Sequence, residues 1–241
     1  MAGGPALTGE QVLGELDFLA RVEHALCVEY LSVHCALGHG LDPTDETPEA
    51  ARVHEAAQAA SLSAFAEMRH VHIVNRALVE GGRRAQLDRA SSIQPVSGPG
   101  IPLGPPSPEQ LERLVEHERE VSAAVDERWE RLRSALASDP VLGREFPTHS
   151  GLAAALYKDL EHIPSSQYLR ATHREPSDEI ERSLLDLSDR YYALLVATLQ
   201  IWFDHENELF GIRSQAIDTM TKLDGINRML VERGLLPSFT F

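Results

Sequence analysis

The sequence predicts an all-α bundle, and three features carry that expectation. Apolar residues recur at alternating steps of three and four through long stretches. No stretch sustains the period-two alternation of a half-buried strand. The breaks between stretches carry helix-end signals, with Thr, Ser or Pro at the starts and Gly or Pro at the stops.

Taken in order, Val12, Leu16, Leu19, Leu26, Tyr30, Val33 and Leu37 form the stripe of a first helix, capped by Thr8 and ended between Gly38 and Pro43. A second helix starts at Thr47-Pro48-Glu49, with Pro in the first turn, and stops at Gly81-Gly82. From Pro95 to Pro108 there are six Pro and three Gly in fourteen residues, which reads as a long crossing loop. Ser107-Pro108-Glu109 opens a third helical pattern running to Ala137. A fourth spans about Ser150 to His173, and a fifth runs from Ser177 to Arg233 with a break near Gly211 or Gly225. The whole, residues 1–241, reads as one domain, with the crossover and an additional helix at about 82–148.

Composition narrows the function. The 241 residues carry 22 Lys+Arg against 37 Asp+Glu, a formal charge of −15. That balance argues against nucleic acid and against an anionic membrane surface as partners. No apolar run reaches the roughly 18–20 residues of a spanning helix. The start, MAGGPALTGEQ, lacks a secretory pattern, and Cys27 and Cys35 lie eight apart on one helix, where a rigid rod keeps them unpaired. A cytoplasmic protein is expected.

The functional signal lies in what interrupts the apolar stripes. Glu23 is the only charge in the first. The second reads Ala56, Ala60, Ser63, Glu67, His70, Val74, Ala77. The last reads Leu184, Leu187, Tyr191, Leu194, Thr198, Ile201, His205, Glu208, Ile212. An ionised carboxylate buried without a partner costs several kcal/mol, so carboxylates and imidazoles in mid-seam point to a shared cation. Glu67 and His70 are three residues apart, about 60° around the helix and one turn along it, so both reach one ion. A carboxylate–imidazole set suits iron or manganese better than structural zinc.

An internal repeat extends the pattern. Glu23-His24 with Tyr30-Leu31 and Glu161-His162 with Tyr168-Leu169 both read E-H-x5-Y-L, an offset of 138 residues. The same offset carries Phe65 to Phe203, Glu67 to His205 and His70 to Glu208. Each half then supplies a lone Glu and a Glu/His couple, the layout of a two-metal bundle. The candidate ligands are Glu23, Glu67, His70, Glu161, His205 and Glu208. Glu118 is the alternative to Glu161, because it shares a stripe with Leu111, Leu114, Val121 and Val125, and Asp204 or Glu206 can replace the last-helix donors if that helix is rotated. His117 and Glu120 fall on a stripe with Arg113, Glu127 and Arg131, which reads as a solvated face. Tyr30 and Tyr168, two turns beyond the two Glu residues, are candidates for a supporting catalytic role or for core packing. Trp202, Phe203, Phe210, Phe65 and Phe18 either line an apolar substrate cavity or fill the core.

The stretch from Leu16 to Gly82, with Val22-Glu23-His24-Ala25, Tyr30-Leu31, Glu67-Met68-Arg69-His70 and Gly81-Gly82, resembles the ferritin-like domain. Within it, the likeness is to the subgroup named for iminophenylpyruvate dimer synthase, whose first-helix motif Leu160-Glu161-His162-Ile163-Pro164 through Tyr168-Leu169 also resembles. The resemblance implies a four-helix bundle holding a carboxylate-bridged pair of transition metals, often iron, that activates dioxygen. The family pattern has Glu-x-x-His on its last helix, whereas this chain has His205-Glu206-Asn207-Glu208. The function so implied is a non-haem dimetal oxidase or oxygenase acting on a small organic molecule in specialised metabolism. Its ions would be iron, manganese or a mixed pair, with O2 as co-substrate. Lacking a flavin or nicotinamide fingerprint, it would draw on an external electron donor, as a monomer or homodimer. The alternatives are a ferritin-like storage or detoxification protein, and a non-catalytic bundle with a degenerate metal site.

Overall fold

The computed structural model describes residues 7–38, 47–94, 99–103, 114–135, 169–205, 209 and 211–239. Helices α1 (Gly9–Ala36), α2 (Pro48–Glu80), α3 (Leu114–Ala135), α4 (Glu179–Asp204) and α5 (Ile212–Glu232) account for most of them. The fold class is therefore all-α. A two-residue antiparallel pair joins β1 (Ser92–Ile93) to β2 (Ile101–Pro102), the second of which falls in the Pro95–Pro108 stretch expected to be loop. Pro102 sits at the end of that short pair, where its missing N–H costs nothing.

The first two helices begin and end where their caps require. The Thr8 hydroxyl accepts from the Gln11 N–H at 3.4 Å while the Gln11 side chain accepts from the Thr8 N–H at 2.8 Å, a reciprocal capping box. Thr47 caps α2 by accepting from the Ala50 N–H at 3.2 Å, with Pro48 in the first turn and Gly81 at the far end.

These two helices pack together along much of their length, and α4 and α5 form a second antiparallel pair. The α3 helix lies against α1, while α4 touches α2 and α5 touches α1. Thus α1 has neighbours on several sides, and every residue from Val22 to Tyr30 is buried. Its hydrophobic periodicity is correspondingly weak, as expected of a helix enclosed all round.

Two elements depart from the sequence expectation, and one alternative it left open is resolved. Residues 169–173, expected as the tail of a fourth helix, are instead part of an extended segment 169–176: the Arg170 N–H donates to Ala36 O at 2.7 Å and Thr172 bridges to Leu235. The fifth pattern breaks at Gly211, not Gly225, giving two helices. Finally, α4 is rotated about its axis. Its buried face is Glu181, Ser188, Tyr192, Leu195, Thr198 and Phe203, whereas Leu187, Leu194 and Ile201 of the expected seam are exposed. The cause is that apolar residues lie on more than one face of α4, and periodicity does not say which face meets the core.

Candidate metal centre

Glu23 lies midway along α1, and Glu67 and His70 lie one turn apart on α2. The close packing of these helices brings all three side chains into one buried place: Glu23 and Glu67 are 0% exposed and His70 2%. One donor atom from each falls within 4.8 Å of the others, the only such set of three or more among the described residues. His70 Nδ1 stands 2.9 Å from Glu67 Oε2 and 3.2 Å from Glu23 Oε2. The Trp129 indole N–H of α3 donates to Glu23 Oε1, fixing that carboxylate from the other side.

Burial by itself would push the His70 imidazolium to lose its proton. The hydrogen bonds and charges of Glu23 and Glu67 outweigh it and raise the pKa to about 9. At neutral pH a proton on Nδ1 therefore bridges the two carboxylates.

The geometry also suits a metal ion. Two donors at about 2.1 Å from an ion, set at right angles, stand about 3.0 Å apart, close to the two observed separations. With two ionised carboxylates and His70 protonated, the buried cluster keeps one net negative charge. A divalent ion with a neutral imidazole would cancel it, which favours a cation in a low-dielectric site. The residues present thus fit a transition-metal ion.

Not every expected donor joins them. His205 is the C-cap of α4 and is exposed, outside the buried set, because the rotation of α4 turns its old seam toward solvent. One pair of the repeat also differs in burial: Phe65 is 59% exposed, while Phe203, its counterpart by offset, is 6% exposed. Asp204 does not replace His205. Its carboxylate accepts from the Ala85 N–H at 3.0 Å and pairs with Arg84 at 3.2 Å, tying the crossing segment to α4. Glu161, Tyr168, Glu206 and Glu208 lie outside the described residues, and although α3 includes Glu118, its side chain does too. Tyr30 is buried at 1% within the main hydrophobic cluster, two turns beyond Glu23.

Sequence reasoning missed two features. Trp129 is one; its signal was a Trp on the apolar face of a charged helix, since a buried indole N–H needs an acceptor. The other is Glu29, 0% exposed and paired with His117 Nε2 at 2.6 Å, so His117 is not on a solvated face. A stripe of mixed charge hid it, because the carboxylate that buries it sits on another helix.

His24 also has a defined role. Its Nδ1 lies 2.7 Å from Leu87 O, which can only accept, so Nδ1 carries the proton and Nε2 accepts from the Tyr192 hydroxyl at 2.9 Å. Burial lowers its pKa to about 4, leaving it neutral. Cys27 and Cys35 are both buried and free, as their spacing predicts, and burial followed by the charge of Glu67 pushes the Cys27 thiol up.

No known protein family, curated protein or solved structure matches the chain. Among the described residues no helix is long and apolar enough to cross a membrane.

Proposed function

We propose that Glu23, Glu67 and His70 hold a transition-metal ion, and that the protein is an O2-dependent non-haem oxidoreductase built as a ferritin-like bundle. The observation that carries this is the convergence of two carboxylates and one imidazole, all essentially inaccessible to solvent, with donor separations of 2.9 and 3.2 Å. Iron or manganese suits that donor set. The second ion of a dimetal centre would draw on Glu161 or Glu118. A bound redox metal supplies electrons and Lewis acidity for dioxygen chemistry on a small organic substrate. The chain's own part is to fix the donors. Trp129 holds one oxygen of Glu23 so that the other faces His70, α1 and α2 set the spacing, and their packing excludes bulk water.

A second reading is favoured by one observation. The chain Trp129–Glu23–His70–Glu67 is already connected by hydrogen bonds, so a protonated His70 can serve as a purely structural polar layer.

Metal analysis of protein purified without chelators separates the two. Wild type should carry stoichiometric iron or manganese. Glu67→Ala and His70→Ala should lose it by more than about tenfold, at least the cost that changes around a ligand carry, whereas His205→Ala should retain it. A wild type free of transition metal, including after incubation with Fe(II) or Mn(II), would overturn the metal reading in favour of the structural one.

A further inference from the structure

A cavity of about 420 Å³ opens on the α4–α5 side of the α1–α2 pair. Glu23, Glu67 and His70 do not line it. Its size falls within the range of about 300–1,000 Å³ typical of small-molecule sites. Its interior and its mouth differ in chemistry, and the difference defines a ligand.

The interior is apolar. Leu31, Leu195, Leu199, Ile217 and Met220 supply much of the wall, and among the described residues no Asp, Glu, Asn, Gln, Ser or Thr lines it. His24 and Tyr192 answer each other: the Tyr192 hydroxyl donates to His24 Nε2 at 2.9 Å, and His24 Nδ1 donates to Leu87 O at 2.7 Å. Burial keeps the Cys27 thiol protonated, so it packs as a small apolar group. The rings stack on one another, His72 on Trp202 with centroids 5.3 Å apart and Trp202 on Phe203 at 5.2 Å. The mouth is positive, although acids outnumber bases 37 to 22 in the chain. Arg69 of α2 and Arg213 of α5 are the charged residues that line the cavity, and both are exposed. Among the described residues neither makes an ion pair, and the Arg213 guanidinium lies 5.9 Å from the centre of the Trp202 ring. Arg213 also belongs to the first turn of α5, whose N-cap, Gly211, brings no side chain to the free N–H groups there, so the positive end of that helix adds to the charge.

From an apolar interior behind a positive mouth we propose that this cavity binds a single-chain fatty acid, its carboxylate at Arg69 and Arg213 and its alkyl chain among the α4 and α5 side chains. An alkyl chain asks for no hydrogen bond inside and gains from every methylene removed from water. Leucine and methionine side chains adapt to such a chain. Guanidinium groups favour a carboxylate over a neutral or cationic head. The site is distinct from the metal centre, so the inference stands whether or not a metal binds.

Calorimetric titration of the full chain below micellar concentrations tests it with octanoate, nonanoate, decanoate, decanamide and decylammonium. Decanoate should bind one to one and at least about tenfold more tightly than decanamide, with decylammonium weakest. Each methylene added between octanoate and decanoate should tighten binding about fourfold, as the transfer free energy of a CH2 implies. The double variant Arg69→Gln/Arg213→Gln changes exposed side chains only, so it should fold. It should bring acid and amide to within about twofold of each other while keeping amide binding. Met220→Trp, which fills the cavity, should abolish binding of both with helix content unchanged. No binding of decanoate to wild type, an affinity that does not change with chain length, equal binding of acid and amide, or an acid preference that survives in the double arginine variant would each overturn the proposal.

Discussion

His24 and His70 are buried imidazoles on adjacent helices, and their surroundings push them in opposite directions. His70 is raised to about 9 by two carboxylates, so in the ion-free protein its contribution to stability is full below pH 6.5 and is lost as pH rises through 9. His24 is lowered to about 4 by burial, so its contribution is full above pH 6.5 and is lost as pH falls toward 4. Of these two groups alone, the stability optimum is near pH 6.5, with losses of a few kcal/mol on either side. Urea denaturation across pH 4.5 to 10 should show the alkaline fall in ion-free protein and not in protein loaded with Mn(II), because a metal-bound His70 carries no proton to lose. The same proton must leave on metal binding. Apparent affinity should therefore climb about tenfold per pH unit and level off above about 9, with one proton released per ion. Trp129→Phe keeps the ring but removes the donor to Glu23, and should weaken metal binding by about 10- to 100-fold with the helix content unchanged. The α1–α2 half of this site was legible in the sequence. Glu23, Glu67 and His70 interrupt otherwise apolar stripes, and a charge at such a position must be met by something. Trp129 and Glu29 were not legible, because each gains its meaning from a partner on a helix whose register the sequence does not reveal.

At the level of elements, α1 and α2 follow from their sequences because both ends are written locally, in Thr8 with Gln11 and in Thr47-Pro48 with Gly81. The last third was less legible. Gly211 and Gly225 are equally plausible breaks by composition, and only backbone conformation distinguishes them. Gly211 adopts φ +92, a left-handed conformation that costs any other residue about 1–2 kcal/mol. Gly225 lies within α5 with nothing within 4 Å of an added Cβ, so there Ala should gain about 0.5–1 kcal/mol from helix propensity. Gly211→Ala should thus lower the unfolding free energy while Gly225→Ala raises it, a difference in sign that paired denaturation curves resolve. The rotation of α4 has the same origin as this ambiguity. Leu187, Leu194 and Ile201 repeat at steps of seven, and Ser188 and Leu195 beside them do the same, so spacing alone does not choose between the two faces. The buried polar link from Ser188 Oγ to Asn227 of α5, at 2.7 Å, is invisible to a hydrophobic count.

Across the whole molecule, the all-α class was legible from periodicity. How the α4–α5 pair is fastened to the rest was not, because the fastening runs through an extended segment whose first part, residues 169–173, was expected to be helix. Residues 169–176 link the end of α1, through Ala36 O, to the end of α5, through Leu235. The clasp of this strap is Glu181, 3% exposed in the first turn of α4. It accepts both guanidinium arms of Arg174 at 2.7 and 2.8 Å, and the Ser177 N–H and hydroxyl at 2.6 and 2.8 Å. Arg174 also donates to Arg233 O at the C-cap of α5, so one carboxylate organises the strap, the start of α4 and the end of α5. First Arg174 and then the Ser177 N–H hold the Glu181 carboxyl far below the ordinary carboxylate range, more than burial raises it. A depressed carboxylate pKa contributes stability above the unfolded value, near 4.5, and loses it only as pH falls below that. Glu181→Gln should therefore be less stable than wild type by a constant margin from pH 5 upward, with the gap beginning to close only below about pH 4. Arg174→Ala should follow the same profile if the two act as one clasp. Denaturation of wild type and both variants at pH 7, 5 and 3 checks this. A margin in either variant that stays unchanged down to pH 3 would mean that the carboxylate's charge is not what closes the strap.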